Sequence, residues 1–274
     1  MLNIDPDFEE YKKLENKNVP LIKNEDLPEE FSQNAYDIII EFIQKTKCLD
    51  YEWVIYFDYY TGEIFRCVKG KDNQVRLDFE DGEFEGKHIV SIHNHPINAF
   101  SPPSGKNFNI LLRDFEDYEF IVGREGLWIL KAKGLHNDII EDIREASLVY
   151  YILTLSRCAD LKGKNGDKIE CEDSLYGDML SNYINDKNIK NIQLIKKEYI
   201  TMTKNKKTDV IEFEHFESIS NMEDLGLIQD FIKNPYLDVN KVKITEFFAK
   251  MGVEVNANEL ADAMHKYADD FYKN

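Results

Sequence analysis

The sequence predicts an α+β fold, a mixed β-sheet flanked by helices and followed by a mostly helical C-terminal unit. Three observations predict it. An apolar run of helical period opens at Phe31. Strand-like runs rich in aromatic and β-branched residues follow between about 51 and 132, broken by glycine-containing turns. Past about 160 the period becomes helical again.

The first 30 residues are polar and acidic, with Pro6, Pro20 and Pro28 and no sustained period, and read as an extended arm, partly ordered at best. Tyr36, Ile39, Ile40 and Ile43 recur at spacings of three and four, which predicts a helix from about Ser32 to Lys47, capped by Ser32 or Asn34. YEWVIYFDYY and EIFRCVKG flank the turn Thr61-Gly62 and read as a β-hairpin. QVRLDF is a third candidate strand and HIVSIHNH, residues 88 to 95, a fourth. After the loop PINAFSPPSG, a short helix is expected from about Lys106 to Phe115. YEFIVG and GLWILKA are two more strands, joined at Arg124-Glu125, and a long helix is expected from about Asn137 to Arg157.

The loop KGKNGDK at 162–168 is the best internal boundary, and limited proteolysis is expected to cut there. The organisation read from sequence is an acidic arm at 1–30, a domain at 31–158 and a mostly helical region at 159–274. Helical windows in the last part run from Leu175 to Ile184, Met222 to Lys233, Lys243 to Met251 and Asn258 to Tyr272. NIQLIKKEYITMT fits strand or helix.

Among 274 residues, 52 Asp and Glu outnumber 34 Lys and Arg, for a net charge of -18. That balance opposes broad nucleic-acid binding, which needs clustered cations, and repels anionic membrane surfaces. No apolar stretch is long enough to span a bilayer, and the first residues lack a secretory pattern. The four cysteines, Cys48, Cys67, Cys158 and Cys171, form no C-x-x-C pair and read as reduced thiols, so the expected location is cytoplasmic.

Chemistry concentrates in SIHNHPINAFSPPSGKN. His93 and His95 lie at i and i+2 on an expected strand, so both imidazoles project from one face. Two convergent histidines at a strand end form half of a tetrahedral metal site. Hydrogen-bonded surface histidines are the bland alternative. H-N-H is not an HNH nuclease, whose residues are dispersed over a ββα unit. SGKN is no phosphate-cradling loop, because Phe100 stands where its first glycine belongs. His88, His136, His215 and His265 read as non-catalytic. Trp53 and Trp128 read as core anchors, and Cys48 and Cys67 as packing residues.

The pattern H-N-H-P-x7-S-x2-N resembles the signature of the JAB/MPN (JAMM) metalloproteases, including RadC-like and phage-type relatives. The resemblance covers roughly 31–158 and is sharp at His93, His95, Pro96 and Ser104. It implies a cytidine-deaminase-like JAB/MPN sheet and a zinc peptidase or isopeptidase acting on a protein or peptide. His93 and His95 would be zinc ligands. Asn107 stands where the family has a metal-binding Asp, and the loop before Ser104 is one residue longer than the commonest form. Asn107 can offer a neutral amide oxygen but no charge. The family's upstream Glu falls on Glu52 or Glu63, with Glu52 preferred because it follows the first helix and opens the first strand.

The implied chemistry is metal-assisted hydrolysis. Zinc lowers the pKa of its water toward about 7, Glu52 moves the proton, and Ser104 steadies the oxyanion. Ser104 could equally cap the helix that follows. Two functions follow. One is an active zinc hydrolase. The other is a catalytically decayed JAB/MPN-fold scaffold or protein-binding module, signalled by Asn107. The C-terminal region carries no readable motif and is left to partner binding or oligomerisation.

Overall fold

The computed structural model describes residues 6–70, 79, 82–97, 102–105, 107–124, 126–140, 142–143, 146–147, 177–178, 180–185, 191–199, 227, 230–231, 234–250 and 256–262. The chain divides into two units. One comprises 1–143 with 177–204, the other 144–176 with 205–274.

In the first unit, α2 spans Gln33–Thr46. It starts where Ser32 leaves the extended region and its hydroxyl accepts the Ala35 N–H at 3.2 Å. Of the two caps the sequence offers, Ser32 and Asn34, the helix uses Ser32. Its apolar stripe, with Ala35, Ile39, Phe42 and Ile43 all buried, packs on one face of a six-stranded sheet.

The strands are β1 (Trp53–Asp58), β2 (Ile64–Lys69), β3 (Ile89–Asn94), β4 (Glu116–Val122), β5 (Gly126–Ala132) and β6 (Ile192–Glu198), in the order β2-β1-β3-β4-β5-β6. The β3–β4 pair is parallel and every other pair antiparallel, so the sheet is mixed. A parallel neighbour requires a crossover, and residues 95–115 supply it between β3 and β4. That crossover includes a 3-10 turn at Asn107–Leu112, shorter and tighter than the expected helix.

Trp53, Ile55 and Phe57 of β1, Val90 and Ile92 of β3, and Tyr118, Phe120 and Val122 of β4 face the α2 side. Each fully buried large apolar side chain contributes roughly 1.5–3 kcal/mol. The opposite face holds a smaller cluster of Val54, Tyr56, Phe84 and Ile89. The same face also bears Ser91, His93 and Glu119.

Three expectations are corrected. Residues 6–30 are not an extended arm. The helix α1 spans Pro6–Lys12, and Tyr11, Ile22 and Leu27 are buried in the main core. The buried Lys45 ammonium ties this segment down, donating to the Tyr11 and Lys12 carbonyls at 3.2 and 3.3 Å and pairing with Glu41 at 2.9 Å. Cys67 is buried but Cys48 is exposed, so Cys48 is not a packing residue. NIQLIKKE is a strand, and it joins the sheet from beyond the boundary drawn at 158.

QVRLDF, apart from Phe79, lies outside the described residues, as do the 162–168 loop, Cys158, Cys171, His215 and His265. In the second unit, α3 spans Asp238–Lys250 and buries Ile244 and Phe247. Asn240 ties its start by donating to the Asp230 and Asn234 carbonyls at 2.9 and 3.0 Å. Among the described residues, no helix is long and apolar enough to cross a membrane.

Candidate functional site

The site grows from the strict alternation of β3. Val90 and Ile92 enter the α2 core, so Ser91 and His93 must face the other way, and His95 follows on that same face. His93 stands between Val54 of β1 and Ile121 of β4 in register, which makes the strand end interior to the sheet. The His93 and His95 rings lie 5.2 Å apart, inclined at 47°. Asn94, on the reverse face, accepts the Trp53 N–H at 2.8 Å and donates to the Tyr51 carbonyl at 2.9 Å, fixing the ends of β1 and β3 together.

Ser104 and Asn107 reach this face from the crossover. Ser104 is tied to the turn through Asn107. Its backbone N–H and hydroxyl donate to the Asn107 amide oxygen at 2.6 and 3.1 Å. A backbone N–H can only donate, so the Asn107 oxygen must face Ser104 and the amide nitrogen must face the opposite way. That nitrogen lies 3.1 Å from His93 Nε2 and 3.1 Å from Glu119 Oε1. His93 Nε2 is therefore an acceptor, and the ring proton sits on Nδ1. Nδ1 lies 3.4 Å from Glu119 Oε1, a long contact.

Glu119 is the residue that motif reading missed. On β4 it is opposite Ser91, between Tyr118 and Phe120. Its Oε2 is buried and has no hydrogen-bond partner among the described residues. Burial above all, then the charge of Glu116, pushes the Glu119 carboxyl up to about 8, against the opposing pull of Arg113 and Asn107 and with a further push from Glu52. His93 moves the other way. Burial, with the neighbouring His95 and Arg113, holds it well below the ordinary histidine range, so the imidazole is neutral at pH 7. Beneath them, Arg113 pairs with Glu116 at 2.5 Å and donates to the Tyr56 hydroxyl at 3.2 Å. The Ser91 hydroxyl donates to Glu116.

The two upstream candidates separate cleanly. Glu52 precedes β1 at the end that carries His93 and bears on the Glu119 carboxyl electrostatically. Glu63 follows the turn at the far end of the hairpin, where its exposed carboxylate meets Lys87 at 3.3 Å. His88 is structural. Its N–H donates to Asp58 at 3.1 Å and its ring packs edge-on against Tyr60. His136 lies against the Lys133 carbonyl, away from the site.

A zinc ion needs three or four lone pairs converging on one point. Here the side chain expected as third ligand turns an N–H toward His93 Nε2, occupying the lone pair that a metal would use. Among the described residues, no three His, Cys, Asp or Glu side chains gather as metal ligands. The donor set as arranged does not fit zinc. No family model, curated protein or solved structure matches this chain.

Proposed function

We propose that the sheet unit is a JAB/MPN-type scaffold or protein-binding module that has kept the outline of a hydrolytic site without zinc-dependent hydrolysis. One observation carries this reading: the Asn107 amide nitrogen, not its oxygen, faces His93 at 3.1 Å. Recruiting a metal there would require the amide to turn over. That would point its nitrogen at the Ser104 N–H and leave two donors opposed in a partly buried place, at up to roughly 1–3 kcal/mol.

A second reading, the zinc-dependent peptidase or isopeptidase implied by the resemblance, is favoured by Glu52. The preferred upstream acid lies at the histidine end of the sheet, and the alternative Glu63 does not. Metal analysis of protein purified without added zinc, joined to a peptide and isopeptide cleavage assay, separates the two. The expected result is no stoichiometric metal and no chelator-sensitive cleavage. Stoichiometric zinc together with cleavage that Glu52→Gln abolishes would establish the hydrolase instead.

A further inference from the structure

We propose that Asn107 is a built-in clasp, a positioning residue whose amide nitrogen bridges His93 and Glu119 where a cation would otherwise draw such groups together. The inference rests on the metal-free reading above and adds a role for the residue that replaces the ligand.

Asn107 comes from the crossover, His93 from β3 and Glu119 from β4, so a single side chain joins three segments that meet at the parallel pair. Its hydrogen-bonding capacity is fully used. Oδ1 accepts from the Ser104 N–H at 2.6 Å and the Ser104 hydroxyl at 3.1 Å. Nδ2 donates to Glu119 Oε1 at 3.1 Å and lies 3.1 Å from the acceptor His93 Nε2. A side chain with two acceptor sites and two donors has spent all four. Asn107 is buried, so water cannot easily replace any of them.

Only a carboxamide fits this seat. An aspartate at 107 could still accept from Ser104, but its second oxygen would confront the His93 lone pair and the Glu119 oxygen. Both N–H donors that now meet His93 and Glu119 would be lost and a charge buried in their place, which a cation held between them would offset. A leucine of similar size would abandon all four bonds without adding charge.

Thermal melts of the full chain with Asn107→Asp and Asn107→Leu, in chelator and with stoichiometric zinc, test this. Nitrogen NMR of the His93 ring gives a readout that generic destabilisation does not move. We expect both variants to melt below wild type in chelator, by on the order of 5 °C. Zinc should raise Asn107→Asp alone. In wild type, His93 should show the Nδ1–H tautomer with a hydrogen-bonded Nε2, and that Nε2 signal should shift in Asn107→Leu. Should Asn107→Asp fold only with zinc, the clasp is supported. Variants that melt with wild type in chelator, zinc that leaves Asn107→Asp unmoved, or an Nε2–H tautomer in wild type would each overturn it. Zinc-dependent cleavage by wild type would sink the metal-free reading, while the ring tautomer and the chelator melts would still judge the clasp.

Discussion

Glu119 and Asp58 are both buried carboxyls, and their surroundings push them in opposite directions. Asp58 stays below its usual range. Burial pulls it up, but the N–H groups of His88, Thr61 and Tyr60 and the Thr61 hydroxyl outweigh that. Its contribution to stability is present above the unfolded carboxylate pKa and is lost as pH falls through the lower folded value. Glu119 has no such set of donors and is pushed up to about 8. Between the unfolded value near 4.3 and about 8, the folded chain holds a proton that the unfolded chain has released. The contribution of Glu119 is therefore complete below that unfolded value and lost as pH rises through the folded one. Urea denaturation at pH 5, 6.5 and 8 should show wild type losing stability relative to Glu119→Gln. The slope should not exceed roughly 1.4 kcal/mol per pH unit. A gap between the two proteins that stays constant with pH would mean that Glu119 ionises normally. At this scale His93, His95, Ser104 and Asn107 were legible because they lie within one short stretch of sequence. Glu119 was not, because only folding brings β4 beside β3. Its one local signal was a lone acid inside the apolar run Tyr118–Val122. Which way the Asn107 amide points was also invisible, since it depends on the Ser104 backbone N–H.

Strand existence was legible in the sequence because aromatic and β-branched runs are interrupted by turn residues. Strand direction was less so: the parallel β3–β4 pair follows from a crossover that the Pro- and Ser-rich loop disguises. The N-terminal segment was misread for a related reason. Tyr11, Ile22 and Leu27 are single anchors without a period, so no pattern rule detects them, and Pro6, Pro20 and Pro28 around them look like breakers of structure. Close packing between elements likewise escapes pattern reading but is testable. A Cβ on Gly177 would stand 2.1 Å from the Trp128 indole of β5, inside any real contact distance. Trp128 is buried and has little room to retreat. Gly177→Ala should therefore destabilise the protein by about 1–3 kcal/mol, the usual range for overpacking, read as a lower denaturation midpoint with an unchanged slope. An unaltered midpoint would mean that the segment at 177 moves freely away from the sheet.

At the scale of the whole chain, the sheet unit leaves the sequence at 143 and resumes at 177, so it is discontinuous. A sequence reader who stops at the last obvious strand of the motif-bearing region loses β6. That strand pairs with β5 along its full length, from Gly126 opposite Glu198 to Ala132 opposite Ile192. It also buries Ile192 and Leu194, and Tyr199 just beyond it enters the main core and donates to the Gly123 carbonyl at 3.1 Å. A fragment ending at 158 would strip away this strand. The apolar strand β5 would become an edge, with unpaired N–H and C=O groups beside Leu127, Ile129 and Leu130, a template for intermolecular pairing. A fragment ending at 204 keeps the pairing. We expect the 1–204 fragment to stay soluble and unfold cooperatively, and the 1–158 fragment to aggregate or bind a hydrophobic dye under the same conditions. Size-exclusion chromatography and thermal melts of the two compare them directly. If the shorter fragment were monomeric and melted at the same temperature, β6 would be an accessory to the sheet and the motif-bearing region would end where the sequence first suggested.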